Sequence, residues 1–205
     1  MNDRFSRRKK PIRTVAILGM DGSGKSSTLT LLKQHFGDRA HIQYMGFKDF
    51  QTDGAKQWKP IETGNAVYRK FRNIFSFLST YRAEMLYRYR KAVADDQAEL
   101  IFFDRYAWDS YESEFDPLMR VLMFLWFKVS FPRPDLVIYL HCPKDVSLER
   151  RNDIEDVALF AKKKERMDAL YLKKNVLCFD SSEMTQEEIL LEILAVLAPA
   201  DRGSV

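Results

Sequence analysis

The sequence predicts an α/β fold in which a five-stranded parallel sheet is flanked by helices. A chain of 205 residues with 46% hydrophobic and 30% charged residues has the size and composition of one globular domain. Short apolar segments alternate with longer segments of helical periodicity, which is typical of β-α-β units. We expect residues 13–199 to form this domain, between a basic disordered tail, 1–12, and a short C-terminal tail, 200–205.

The first strand, predicted at 15–18, is followed by a turn with the spacing of a phosphate-binding P-loop, Gly19-x4-Gly24-Lys25-Ser26. Glycines let the main chain aim successive N–H groups at a phosphate, and the next helix N-terminus adds its dipole. Lys25 would place a point charge on the β- and γ-phosphates, and the Ser26 hydroxyl would hold Mg²⁺. Strand, loop and helix occur in the required order, which favours this interpretation over an ordinary glycine-rich turn. The predicted fold is therefore the three-layer P-loop NTPase fold, with a site for a nucleoside triphosphate.

The remaining elements are predicted from apolar runs and from the residues that end them. Further strands are predicted at 41–45, 99–103, 136–140 and 176–179. Helices are predicted up to residue 36, from about 65, at 108–113, from 116 to 131, within 143–151, from 154 to about 174, and up to about 199. Residues 51–64 predict a surface loop, and Thr185 with Glu188 predicts a capping box before the last helix.

The long helix from residue 65 has one apolar stripe at alternating steps of four and three. Its members are Val67, Phe71, Ile74, Leu78, Tyr81 and Met85. Five arginines lie largely off this stripe, at positions 69, 72, 82, 88 and 90. A solvated basic face is the plain interpretation for each of them, and a position in the cleft is the alternative. Among them, Arg72 is the candidate for binding the acceptor.

Positive charge is concentrated at the N-terminus. Six of the 33 basic residues and one acid lie in the first 13 positions, so this segment carries +5 and the rest of the chain about −1. Such a tail is usually a solvated arm. The sequence thus predicts no specific nucleic-acid partner.

The cysteines and the apolar segments indicate the cellular compartment and the oligomeric state of the protein. Cys142 and Cys178 lie in or beside apolar runs without metal-like spacing, as buried reduced thiols do. No signal peptide precedes the first strand, and the most apolar run, 121–127, is too short to cross a bilayer. We therefore predict a cytoplasmic protein without a membrane span. The apolar run predicts a buried helix face or a subunit contact, and the second interpretation favours a homodimer.

A second chemical motif, Asp104-Arg105, directly follows the third predicted strand. An acid there can serve as a Walker-B type ligand for Mg²⁺, and an adjacent arginine can neutralise charge on a phosphoryl group in transfer. An acid at a strand end can also merely cap the chain. Together with the P-loop, however, the pair predicts phosphoryl transfer.

These motifs together resemble the thymidylate kinase family of nucleoside monophosphate kinases. The loop 19–26 is similar to that family's G-x-D-G-x-G-K-[ST], and 104–106 matches its D-R-Y. Residues 133–140 match its fourth strand, 143–150 its helix ending in L-x-R, and 154–155 the end of its lid segment. The resemblance covers the chain from residue 15 to about 179.

The resemblance implies a kinase that uses ATP and Mg²⁺ and acts on a small-molecule acceptor. The ATP phosphates would be cradled by the loop residues Gly19, Gly22, Ser23, Gly24, Lys25, Ser26 and Ser27. Asp21 would face the acceptor, Asp104 would lie near Mg²⁺, and Arg105 would bridge donor and acceptor phosphates. Arg150 would act from the lid side, and residues 180–183 would correspond to the adenine loop.

Three departures from the family pattern concern the acceptor. The family's R-x-P-G segment after the second strand is replaced by residues 45–48, where Lys48 could substitute as a point charge. The lid is shortened, and the P-loop contains no arginine, so the catalytic arginine would be Arg150 or Arg151. The predicted acceptor is a nucleoside monophosphate. The alternatives are a sugar, a glycan precursor or a nucleoside as acceptor, and a nucleotide-binding protein whose catalysis has decayed.

Overall fold

The computed structural model describes residues 12–107, 121–122, 125–127, 131–151, 154, 156–172 and 176–198. Five strands form one parallel sheet in the order β2-β3-β1-β4-β5. Their bounds are β1 Thr14–Gly19, β2 Ala40–Tyr44, β3 Leu100–Asp104, β4 Leu136–His141 and β5 Leu177–Asp180. The helices are α1 Lys25–Phe36, α2 Asp53–Lys56, α3 Ala66–Val93, α4 Lys144–Arg150, α5 Val157–Tyr171 and α6 Gln186–Leu197. The predicted α/β fold class is confirmed.

The central strand β1 is buried along its whole length, because helices cover both faces of the sheet. Val15 and Ile17 pack with residues of α1 and α6 on one face. Ala16 and Leu18 point to the other face, where α3 and α5 contribute to the core. This three-layer arrangement leaves the carboxyl edge of the sheet as the place where loops from several strands meet.

The strand register brings the two predicted motifs to that edge. Ile17 pairs with Asp104 across β1 and β3, so the P-loop leaves β1 just beyond the end of β3. The Met45 N–H donates to the Asp104 carbonyl oxygen (2.9 Å), which places the segment after β2 beside the same point. Topology alone therefore gathers loops that are distant in sequence.

Several predicted bounds differ from the structure by a residue or more. β2, predicted at 41–45, starts and ends one residue earlier, whereas β3 and β5 start and end one residue later than predicted. The predicted loop 51–64 contains the one-turn helix α2, which Thr52 precedes as N-cap. The charged helix is shorter than predicted and is α5. The predicted helix 108–113 lies outside the described residues, and of the predicted helix 116–131 only 121–122 and 125–127 are described as helical.

The predicted apolar stripe of α3 is wrong at its first two positions. Ile74, Leu78, Tyr81 and Met85 are buried, as the stripe requires, but Val67 and Phe71 are 67% and 48% exposed. The predicted capping box of α6 is confirmed, with Thr185 and Glu188 bonded reciprocally. In the part of the chain that the structure describes, no helix is long and apolar enough to span a membrane.

Candidate active site

The P-loop main chain has the conformation that a phosphate cradle requires. Gly22 and Gly24 have φ angles of 85° and 87°, in the left-handed region that L side chains rarely adopt. A Cβ atom on Gly22 would lie 2.8 Å from the Ser147 carbonyl oxygen, against the N-terminal part of α4. The loop can therefore curve around a ligand only with glycine at these positions.

Lys25 is held at the base of this loop. It is the first residue of α1 and only 7% exposed, and its Nζ donates to the Met20 carbonyl oxygen (2.7 Å). The same Nζ lies 4.0 Å from an Asp21 carboxylate oxygen. The lysine charge is thus fixed next to the space that the loop encloses.

Asp21 and Arg105 meet across the cleft. The Arg105 guanidinium donates a hydrogen bond to the Asp21 carboxylate. Arg105 itself has a φ angle of 66°, and its N–H donates to the Ile17 carbonyl oxygen (3.1 Å). A non-glycine residue in the left-handed region is strained, and such residues concentrate at functional sites.

Two carboxyl groups at the carboxyl edge of the sheet, those of Asp21 just beyond β1 and Asp104 at the end of β3, have opposite pKa shifts. Burial by itself would raise the pKa of Asp21, but the charges of Arg105, Lys25 and Lys163 and the Arg105 hydrogen bond lower it below its ordinary value. Burial raises the pKa of Asp104 above its ordinary value, because Lys25 and Arg105 offset only part of the desolvation. Carboxyl groups with shifted pKa values are typical of catalytic and ligand-binding sites, where burial and neighbouring charges act on them together.

A cavity of about 1010 Å³ lies over the P-loop at the carboxyl edge of the sheet. Ten of the predicted site residues line it: Asp21, Gly22, Gly24, Lys25, Ser26, Ser27, Lys48, Asp104, Arg105 and Arg150. Donor, metal and acceptor candidates therefore share one cavity. This juxtaposition is what a phosphoryl transfer site requires.

Three predicted site residues do not line this cavity. Gly19 is the last residue of β1, and Ser23 is fully buried in the loop, where its hydroxyl has no hydrogen-bond partner among the described residues. Arg72 is exposed on α3 and donates to the Tyr68 hydroxyl (3.1 Å). The structure thus gives no support to Arg72 as an acceptor residue.

Arg150 contacts the P-loop from the α4 side. Its guanidinium donates to the Gly22 carbonyl oxygen (3.3 Å), the Ser181 hydroxyl (3.2 Å) and the Ser181 carbonyl oxygen (2.8 Å). These contacts tie the P-loop to the segment after β5. With these contacts Arg150 holds the P-loop and the segment after β5 together. Arg151 is the second arginine from the end of α4 that lines the cavity.

Sequence reasoning missed three residues that line the cavity, Tyr44, Lys163 and Gln186, and it assigned no role to a fourth, Phe47. Lys163 lies on α5, in a run of three lysines whose helical phase alone does not say which one faces the site. Gln186 begins α6 and contacts the Thr28 hydroxyl (2.8 Å), beside Gly24. Phe47 was indicated only by its position after β2, at the ligand-binding edge.

The donor set suits Mg²⁺ bound together with a nucleotide. Ser26 and Asp104 both line the cavity and offer one hydroxyl and one carboxylate. Among the described residues, no three His, Cys, Asp or Glu side chains cluster into a metal site. Mg²⁺ is commonly held by one or two protein oxygens together with phosphates and water, so this set fits it.

Comparisons with known proteins agree with this geometry. The sequence model of the family described as thymidylate kinase matches residues 17–193. The chain belongs to the thymidylate kinase family. A protein from Saccharolobus solfataricus named probable thymidylate kinase 1 is 26% identical over 196 residues, which cover 90% of this chain and 96% of that protein. A structure of deoxyadenosine kinase from M. mycoides with bound dATP has a TM-score of 0.53, at 14% identity, over 91% of this chain and 100% of that one.

Membership in the thymidylate kinase family makes this protein a nucleotide kinase with ATP as the implied phosphoryl donor. The predicted enzyme class and the predicted resemblance are therefore confirmed. The likeness to the deoxyadenosine kinase supports the fold.

Proposed function

We propose that this thymidylate kinase family member transfers the γ-phosphoryl group of ATP, with Mg²⁺, to the phosphate of a nucleoside monophosphate. The match to the thymidylate kinase family over residues 17–193 supports a nucleotide as the acceptor. The two halves of the cavity support the division of roles, because one half suits a triphosphate and the other suits a flat ring with an attached phosphate.

The donor half consists of the P-loop and the start of α1. The main-chain N–H groups of the loop and the α1 N-terminus would bind the β- and γ-phosphates, and Lys25, which lines the cavity, would add a fixed charge. Bound Mg²⁺ would neutralise phosphate charge, and Ser26 and Asp104 would hold it. Chelation of Mg²⁺ should therefore abolish turnover.

The acceptor half is lined by Phe47, Lys48 and Arg105. Phe47 is 42% exposed, and its ring packs on Phe77 and Tyr81 with centroid distances of 5.6 and 5.7 Å. An aromatic ring supported from behind and open in front suits stacking with a nucleobase. The neighbouring cations suit the acceptor phosphate.

The reaction needs little proton transfer when the acceptor is a phosphate. An acceptor phosphate oxygen attacks the γ-phosphorus, the bond to the oxygen bridging the β- and γ-phosphorus atoms breaks, and ADP leaves with that electron pair. A phosphomonoester is largely ionised at neutral pH, since its second pKa is about 6. Arg105 would neutralise the charge between the two phosphates, and Asp21 would orient the acceptor.

Two observations favour a second candidate, transfer to a hydroxyl of a nucleoside or sugar. A hydroxyl acceptor requires a general base, and the raised pKa of Asp104 brings this carboxylate closer to that task. Lys48 in place of an arginine also provides a weaker grip on an acceptor phosphate.

The observation that carries the first proposal is Arg105, which lies in the cavity next to both the P-loop acid Asp21 and the acceptor half. The test is ADP release from ATP and Mg²⁺ with thymidylate, other nucleoside monophosphates, nucleosides and sugars, and with Lys25→Ala as the inactive control. We expect a nucleoside monophosphate to have the highest kcat/KM. A nucleoside or sugar as best acceptor would establish the second candidate, and no acceptor-dependent ADP release would indicate decayed catalysis.

A further inference from the structure

The segment 45–52 between β2 and α2 carries the acceptor-side residues Phe47 and Lys48 but has no regular secondary structure. Both of these side chains are exposed, so their own packing fixes the segment only in part. Its main chain is instead held from below by two buried charged residues of α3, Glu84 and Arg88.

Arg88 holds four carbonyl groups along this segment. One terminal nitrogen donates to the carbonyl oxygens of Tyr44 (3.2 Å) and Gly46 (3.1 Å). The other donates to those of Lys48 (3.1 Å) and Asp49 (2.7 Å). Arg88 is 1% exposed, and the rings of Tyr44 and Phe50 lie 5.9 and 5.8 Å from its guanidinium carbon.

Glu84 holds the end of the same segment. Its carboxylate accepts from the main-chain N–H groups of Gln51 (2.6 Å) and Thr52 (2.7 Å), and from the Arg88 Nε (2.6 Å). Glu84 is fully buried. Together the pair makes six hydrogen bonds to the main chain between residues 44 and 52, and all five N–H donors of Arg88 are used.

Stability alone does not account for such a pair, because the cost of removing two charges from water offsets most of their attraction. Its distinctive effect is a fixed main-chain conformation. Asp49, at the middle of the segment, has a φ angle of 58°, which is uncommon for a residue with a side chain. The contact of its carbonyl oxygen with Arg88 holds it there.

We propose that Glu84 and Arg88 are positioning residues for the acceptor: by fixing residues 44–52 they set Phe47 and Lys48 opposite Arg105. This inference rests on the proposed nucleotide kinase function. Neither residue lines the cavity, so neither is expected to touch a substrate. Their loss should therefore raise the acceptor KM and leave the ATP KM nearly unchanged.

Arg88→Lys is the most selective variant, because lysine keeps the charge beside Glu84 but lacks the fork that reaches four carbonyl groups. Glu84→Gln is the second variant, since an amide weakens both main-chain contacts without changing volume. For each we expect an acceptor KM at least about tenfold higher than wild type and an ATP KM within about twofold.

Asp135→Asn is the matched control. The Asp135 carboxylate also accepts from two main-chain N–H groups, those of Arg13 (3.1 Å) and Thr14 (2.9 Å), and from the Thr14 hydroxyl (2.7 Å). It lies at the amino ends of β1 and β4, at the edge of the sheet opposite the cavity. This variant should lower the melting temperature as the Glu84 variant does, without changing the acceptor KM.

Hydrogen exchange of the same variants measures how firmly residues 45–52 are held, and it requires no acceptor. Amides of residues 45–52 should exchange faster in Arg88→Lys and Glu84→Gln, while P-loop amides should exchange at the wild-type rate. An acceptor KM unchanged in both folded variants, equal changes in the acceptor and ATP KM, or unchanged exchange in 45–52 would each overturn the positioning role. Absence of kinase activity in the wild-type protein would instead contradict the proposed function.

Discussion

Arg105 combines three features that point to a role in the transition state. It has a left-handed φ angle of 66°, its guanidinium donates a hydrogen bond to Asp21, and it lines the cavity together with residues of the P-loop. A residue held in a strained conformation beside a charged partner is pre-organised, so it loses little freedom when a substrate binds.

We predict that Arg105→Ala lowers kcat by about a hundredfold, as the loss of a transition-state donor does, with a smaller effect on the ATP KM. Steady-state kinetics with the best acceptor measures both constants. Arg39→Ala is a suitable control, because Arg39 forms an exposed ion pair with Glu99. A kcat for Arg105→Ala within threefold of wild type would show that charge in the transition state is neutralised elsewhere.

The raised pKa of Asp104 predicts a pH dependence of stability. A carboxyl group whose pKa is higher in the folded than in the unfolded state stabilises the protein below the unfolded pKa, and that contribution is lost as the pH rises through the folded pKa. Above that range the buried carboxylate opposes folding. Asp104→Asn should therefore raise the melting temperature at pH 7 but not at pH 4, in thermal unfolding without nucleotide. Equal changes in melting temperature at pH 7 and pH 4 would contradict a pKa of Asp104 that is raised by burial.

Arg88 shows how far the sequence could lead at this scale. The steps of four and three that place Ile74, Leu78, Tyr81 and Met85 on one stripe continue to Arg88 and Ala92, which are also buried. A glutamate four residues before an arginine is a favourable helical pair. The prediction of a solvated face is wrong for Arg88, because it overlooked both signals. The four carbonyl groups that Arg88 binds are set by the loop conformation and have no sequence signature.

At the scale of elements, α5 supplies a cation to the cavity. This helix carries Lys163 into the cavity, and the charge of Lys163 contributes to the lowered pKa of Asp21. The family resemblance indicated only Arg150 or Arg151 for the cation of this wall. The structure adds a lysine on the following helix, because Asp156 caps the start of α5 and α5 packs on the sheet.

Lys163→Ala should lower kcat about tenfold, because a point charge at the edge of the site contributes less than a guanidinium between the phosphates. Lys162→Ala is the matched control on the same helix, since Lys162 is exposed and does not line the cavity. Both variants would be compared in the same steady-state assay. Equal kcat values for the two would exclude Lys163 from the reaction.

The sequence predicts which strands and helices form better than it predicts how they pack. The strands could be predicted because they are short apolar runs. The ends of β3 and β5 lie one residue later than predicted because the last residue of each strand is an aspartate.

The prediction of the α3 stripe was wrong at Val67 and Phe71 for a geometric reason. The 28 residues of α3 span about 42 Å, whereas a five-residue strand spans about 17 Å, so its first two turns extend beyond the sheet.

At the scale of the whole molecule, that overhang leaves an apolar surface. Val67, Phe71 and Phe75 follow one another by one helical turn on α3 and are 67%, 48% and 52% exposed. Val121 and Leu125, in the predicted subunit-contact helix, are 56% and 52% exposed. Exposed apolar residues grouped in this way are typical of protein interfaces.

We therefore expect a homodimer through this surface. Light scattering at tens of micromolar should give about twice the mass of 24.1 kDa, and Phe71→Glu combined with Phe75→Glu should give a monomer, because each buries a charge in the interface. A monomeric wild-type protein under these conditions would contradict the prediction.

The central claim is that the phosphoryl group passes from ATP to the phosphate of a nucleotide, between the P-loop and Phe47, Lys48 and Arg105. Phosphorus NMR of the complete reaction, with the best acceptor and ATP·Mg²⁺, tests it most directly. We predict that the phosphomonoester resonance of the acceptor declines in step with the γ-phosphate resonance of ATP, while a nucleoside diphosphate and ADP form in equal amounts. ADP formation with a persistent phosphomonoester resonance, together with orthophosphate or a newly phosphorylated hydroxyl group, would contradict it.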